Sequence, residues 1–187
     1  MGRKNQKRNL IYLIQSIVIL ITTTFYAQSK NINENNNFLY SLKSLNLSQD
    51  SLEKIIKSDS NRVDAYYALA LQFFSKEQIK KSTLLIKKGL KVSKLWDDSL
   101  KFNILQAEIF LKQNKPQKVI SLFQNIDKNK ISIYLSYYNY LMGRSYLKLN
   151  NKKQALFYFQ ELLKDIRYEK IASFYINQIK KGMKEYE

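Results

Sequence analysis

The sequence predicts an all-α fold, and three observations predict it. Four Gly and one Pro in 187 residues are too few for the tight turns of a β-sandwich or barrel. From about Ser48 the apolar residues recur at helical spacing, in runs rich in Lys, Leu, Ile and Gln that favour helix. The chain also superposes on itself, three stretches aligning without a gap at separations of 37 and then 36 residues. With 45% hydrophobic and 13% aromatic residues it has the material for a buried core.

In chain order, Met1–Asn9 (MGRKNQKRN) is basic and free of acid, and Leu10–Ala27 (LIYLIQSIVILITTTFYA) is apolar. This pairing predicts that residues 1–27 are an export signal peptide, cut after the small Ala27, with a cut after Ser29 as the fallback. The alternative is an uncleaved N-terminal membrane anchor, whose apolarity Gln15, Ser16 and three threonines reduce. Either way the body is expected to be exported, periplasmic or secreted. With no Cys in the chain, a lipid anchor on a cysteine is excluded.

Residues 28–47 are Asn-rich, include Asn35-Asn36-Asn37, hold no sustained period, and read as a flexible lead-in. Residues 48–187 read as a helical repeat domain, with repeats near 63–94, 99–128 and 135–167 and a closing amphipathic helix over 169–187. A half repeat precedes them, carried by Leu52, Ile55 and Ile56. In each full repeat a small residue (Ala70, Ala107, Gly143) is followed three positions on by an aromatic (Phe73, Phe110, Tyr146), on the same helix face. Twelve residues after each small residue stands Ser82, Val119 or Ala155, and four later Ile86, Phe123 or Phe159. Asn114 and Asn150 fall at the turn between paired helices, where left-handed backbone is useful, and Pro116 suits a helix start. Asp97, Asp98 and Ser99 are expected to cap a helix beginning near Leu100.

These residues resemble the tetratricopeptide repeat family. The third copy carries Gly143, Tyr146, Ala155 and Phe159 at matching positions, with Met142 in place of Leu; the first carries Tyr66, Leu69, Ala70, Phe73, Ser82, Ile86 and Gly89; the second is looser, with Asn103 and Gln106 at the first aromatic and Leu positions. The motif's late Pro is missing from all three. The resemblance implies a right-handed α-solenoid of antiparallel helix pairs, about three repeats with a partial first repeat and a capping helix. It also implies a concave face lined by helix-A residues. Carried over position by position, these are Asp64, Tyr67, Leu71 and Phe74 in the first copy, Lys101, Ile104, Glu108, Leu111 and Lys112 in the second, and Tyr137, Tyr140, Arg144, Leu147 and Lys148 in the third.

Chemistry is narrowed first by what is missing. Without His or Cys there is no thiol nucleophile, no His-based catalytic pair and no structural zinc site. Helix-surface acids such as Glu108, Glu161, Asp127 and Asp165 read as solvated or paired one turn away, so no catalytic residue, metal or cofactor is expected. Thirty-two basic residues against 15 acids give a net charge of +17, but just five are Arg, the better residue for phosphate. Cleavage after Ala27 removes Arg3, Lys4, Lys7 and Arg8 and lowers the charge to +13. An exported chain meets little nucleic acid. The expected function is a non-enzymatic scaffold or adaptor that binds a segment of another envelope protein on its concave face. Two alternatives are a sensory or regulatory repeat module of an envelope signalling system, and a polyanion-binding module that meets an anionic surface or polymer through its lysines.

Overall fold

A computed structural model describes residues 46–124, 126, 131 and 134–184. The predicted signal peptide and all but the end of the lead-in lie outside the described residues. Those described form eight α-helices and a short 3-10 segment, with no strand among them. The fold class is all-α. Two compact units divide between Phe102 and Asn103, inside the helix that was read as the first half of the second repeat.

The first unit contains α1 (Gln49–Ser58), α2 (Val63–Ser75), α3 (Ile79–Val92) and the start of α4 (Trp96–Lys112). Ser48 caps α1, its hydroxyl oxygen accepting the Ser51 N–H at 3.2 Å. After α1 the Asp59 side chain accepts the Asn61 N–H at 2.9 Å and turns the chain into α2. Leu52 of α1 packs with Ala65, Ala68, Leu69 and Phe73 of α2, and the half-buried Ile55, Ile56 and Leu85 close around them. On α3 the buried residues Ser82, Ile86 and Gly89 follow one stripe while the lysines face water. A Cβ at Gly89 would overlap the Phe102 ring; here glycine is required because α3 and α4 approach through that point. The predicted start of α4 needs correction. Ser99 N–H already donates to Leu95 O at 3.2 Å, so the helix begins at Trp96 and Asp97 and Asp98 occupy its first turn, where they favour the helix dipole without capping it.

The second unit holds the rest of α4, then α5 (Pro116–Phe123), α6 (Leu135–Lys148), α7 (Lys152–Leu162), the 3-10 segment Ile166–Tyr168 and α8 (Glu169–Lys184). Within it α6 packs on α5 and α7, and α8 on α7. Pro116 stands at the first turn of α5, where its missing N–H costs nothing. Asn151 caps α7 by accepting the Gln154 N–H at 3.1 Å, and a Cβ at Gly143 would come within 2.9 Å of the Phe159 ring. Lys152 Nζ donates to the Gly182 carbonyl at 2.8 Å and ties α8 to the start of α7.

One turn recurs three times. Glu77, Asn114 and Asn150 have φ of 61°, 57° and 57°, and each stands seven residues after the small residue of its repeat. The following residue donates its N–H five positions back: Gln78 to Phe73 O at 2.8 Å, Lys115 to Phe110 O at 2.8 Å, Asn151 to Tyr146 O at 2.9 Å. The left-handed residue itself donates three positions back, to Phe74, Leu111 and Leu147, at 3.0, 3.1 and 3.0 Å. This is the Schellman arrangement, which satisfies the last carbonyls of a helix and reverses the chain. The repeat positions are core: Ala70, Ala107 and Gly143, Ser82, Val119 and Ala155, and Ile86, Phe123 and Phe159 are all buried. Of the paired aromatics Phe73 is buried, and Phe110 and Tyr146 are half-buried.

Candidate functional site

The helix-A residues singled out from the sequence separate by unit. In the first, Tyr67 and Leu71 are half-buried and Phe74 is buried. Tyr67 meets Phe102 edge-on at 5.6 Å, and burial pushes its phenol up to about 12. Lys101 is half-buried and pairs with Asp98 one turn back at 3.3 Å.

In the second unit α4 and α6 bring four of the named residues together. Tyr137 donates its hydroxyl to Glu108 Oε1 at 2.6 Å. Arg144 donates from Nη1 to Glu108 Oε2 at 3.3 Å, so the carboxylate spans two residues of α6 that lie two turns apart. The Arg144 guanidinium lies 5.1 Å from the Tyr140 ring centre, and Tyr140 stacks on Tyr137 at 5.8 Å. Ile104, Glu108, Tyr137 and Tyr140 are buried, and the Arg144 side chain is 20% exposed. Lys112 and Lys148 are exposed at the ends of α4 and α6, and Lys148 donates to the Asn114 side-chain oxygen at 3.0 Å.

Electrostatics follows from this packing. Burial first, and the adjacent Glu108 charge second, hold the Tyr137 phenol well above its ordinary range. Burial likewise raises Tyr140, against the opposing pull of Arg144. For Arg144 burial, the largest single influence, disfavours the charge, but Glu108 together with Tyr140, Tyr175 and Tyr137 outweighs it and the guanidinium stays cationic. No buried side-chain polar atom among the described residues lacks a hydrogen-bond partner. The cluster is therefore internally neutralised. An incoming carboxylate would meet the exposed edge of Arg144, with Lys112 and Lys148 on the same two helices.

Sequence reasoning missed the aromatics that support this cluster. Tyr175 of α8 contacts Tyr140 at 6.2 Å and stacks nearly parallel on Phe159 at 4.5 Å. Its place beside Ala172, Ile176 and Ile179 on the buried stripe of α8 was the available signal. Tyr158 contacts Tyr138 edge-on at 6.0 Å and stacks on Tyr146 at 5.5 Å. A second polar junction missed by sequence joins Ser136 to Asp165 at 2.6 Å, while Arg167 donates to the same carboxylate from Nε at 2.8 Å. The Arg167 hydrogen bond, opposed by burial and reinforced by Ser136, lowers Asp165 to about 2.

No group of three or more acids able to hold a metal ion occurs among the described residues. No helix among them is long and apolar enough to cross a membrane. No family model, no curated protein and no solved structure matches this chain.

Proposed function

We propose that the chain is an exported, non-enzymatic scaffold of tetratricopeptide-like helical repeats that holds a segment of another envelope protein against its helix-A surface. The observation that carries this reading is the Schellman turn repeated at one register, with φ of 61°, 57° and 57° and equivalent hydrogen bonds. A turn conserved in geometry while its residues vary from Glu to Asn is what stacked helix–turn–helix units need, and such stacks function through the surfaces they display. In the second unit that surface offers Arg144, Lys112 and Lys148 around buried tyrosines, a combination suited to a carboxylate-bearing segment. Export is a reading of residues 1–27 alone.

The test uses the chain from Gln28 as bait for an envelope extract, washed at low and high salt. A discrete protein is expected to survive the high-salt wash, and a bait carrying Lys112→Glu and Lys148→Glu is expected to lose it with unchanged helicity by circular dichroism. Retention by the variant overturns the helix-A reading. Binding confined to low salt favours polyanion capture through the exposed α3 lysines Lys80, Lys81, Lys87, Lys88 and Lys91.

A further inference from the structure

A second surface lies wholly within the first unit and does not depend on the helix-A reading. The first unit has an open groove of about 320 Å³ bounded by α1, α2 and α3. Tyr66, Leu69 and Phe73 of α2 form its floor, and Ile56 of α1 and Leu85 of α3 its walls. Leu84 stands at its lip with 55% of its surface in water, a large apolar side chain left uncovered beside an apolar hollow. Lys57 of α1 and Lys81 and Lys88 of α3 also line it, against one acid, Glu53. Lys81 is drawn towards the groove by the Phe73 ring, its Nζ 5.1 Å from the ring centre. Lys81 and Lys88 are seven residues apart, two helical turns, or about 10.5 Å along α3.

The geometry points to an acidic amphipathic peptide segment of a partner protein as the occupant: apolar side chains fill the groove, and carboxylates on the segment's flanks meet Lys57, Lys81 and Lys88. Charge complementarity selects this occupant. The chain's own residues 1–45 carry six basic residues and one acid, the same sign as the rim, and a second copy brings a net charge of +17; both would be repelled. A bilayer presents a flat face and leaves a hollow between helices unfilled, whereas a peptide with apolar residues at helical spacing inserts them.

The experiment is fluorescence anisotropy of a labelled peptide with Leu at positions i, i+3, i+4 and i+7 and Glu on both flanks, titrated with the full chain. Binding is expected to weaken about tenfold or more with Lys81→Glu plus Lys88→Glu, and several-fold with Leu84→Ser, both at exposed positions that leave helicity unchanged. Lys153→Glu plus Lys164→Glu, a matched charge change in the second unit, is expected to have little effect. A control peptide with every Leu replaced by Ser is expected to bind at least about tenfold more weakly. Equal binding of the Leu and Ser peptides overturns the proposal in favour of unspecific polyanion binding. An effect of the Lys153 and Lys164 pair equal to that of the α3 pair overturns the location. Displacement of the peptide by phosphatidylglycerol vesicles but not by unlabelled peptide makes the surface a membrane contact and overturns the occupant.

Discussion

The two units solve the same packing problem with different side chains. The described part of the first contains two tyrosines, and its α1–α2 core is Leu52, Ala65, Ala68, Leu69 and Phe73. The described part of the second contains eight tyrosines, six of them in ring contacts with one another or with phenylalanines, around a buried carboxylate. An aliphatic core gains its stability from area removed from water and is indifferent to pH. A phenolic core buries comparable area but must place every hydroxyl and keep it protonated. Apart from Tyr67 the first core is therefore indifferent to pH, whereas the second is polar and pH-sensitive.

The largest expected effect comes from removing the ring on which the second unit turns. Phe159→Ala deletes a fully buried ring that fills the space over Gly143 and stacks on Tyr175, and should cost about 3–5 kcal/mol in urea unfolding. Ile86→Ala, at the equivalent position of the first unit, should cost about 2–5 kcal/mol without disturbing tyrosine fluorescence. A fluorescence change in both variants would break the distinction between the two cores.

Glu108→Gln should cost about 2–3 kcal/mol, since Arg144 and Tyr137 lose their charged acceptor in a buried setting. Asp98→Asn, which breaks the more exposed Lys101 pair of the first unit, should cost about 0.3–0.5 kcal/mol. Chemical denaturation of both variants ranks the pairs, and equal losses would mean that the Glu108 junction is no more than a surface ion pair.

Titration sharpens the contrast at both ends of the scale. Burial raises Tyr137, Tyr138 and Tyr140, and takes Tyr168 up to about 12, while the first unit has Tyr67 raised to about 12. Above the ordinary phenol value of 10 the unfolded chain releases protons that the native chain keeps, so stability present below pH 10 is lost as pH rises towards the native values. Helicity and phenol ionisation followed by circular dichroism and absorbance should change together above about pH 10; phenols ionising at 10 with helicity intact would refute a buried tyrosine network. At the acid end Asp165, lowered to about 2, contributes stability that is present above its unfolded value near 3.9 and lost as pH falls towards about 2. Asp165→Asn should remove that part of the acid transition.

The smallest effect lies in the turns. Glu77 adopts the conformation that Asn114 and Asn150 adopt at lower cost, so Glu77→Gly should stabilise the first unit by about 0.5–1 kcal/mol. Thermal melts check this; a loss of stability would show that the Glu77 side chain contributes more than its backbone costs.

Much of the frame was legible in the linear pattern. Small residues at 70, 107 and 143 and their partners twelve and sixteen positions on are all buried, because helical spacing fixes which residues share a face. Asn114 and Asn150 announced their turns through a known tolerance of left-handed backbone. Glu77 did not, because Glu has no such tendency and its conformation is imposed by the flanking helices. The start of α4 was placed four residues late because the acids that suit a cap suit a first turn equally well.

The chain's own order of residues determined the helical class, the repeat spacing and the buried stripe of each helix, since these depend on neighbours within about sixteen residues. Tertiary structure decided which polar groups meet. Glu108 lies 29 residues from Tyr137 and 36 from Arg144, and Tyr140 lies 35 from Tyr175. Helical periodicity can say that each of these faces inward or outward, but not that a carboxylate on one helix will bridge a phenol and a guanidinium on another. That depends on the angle and depth at which the helices pack, which contacts between residues distant in sequence decide.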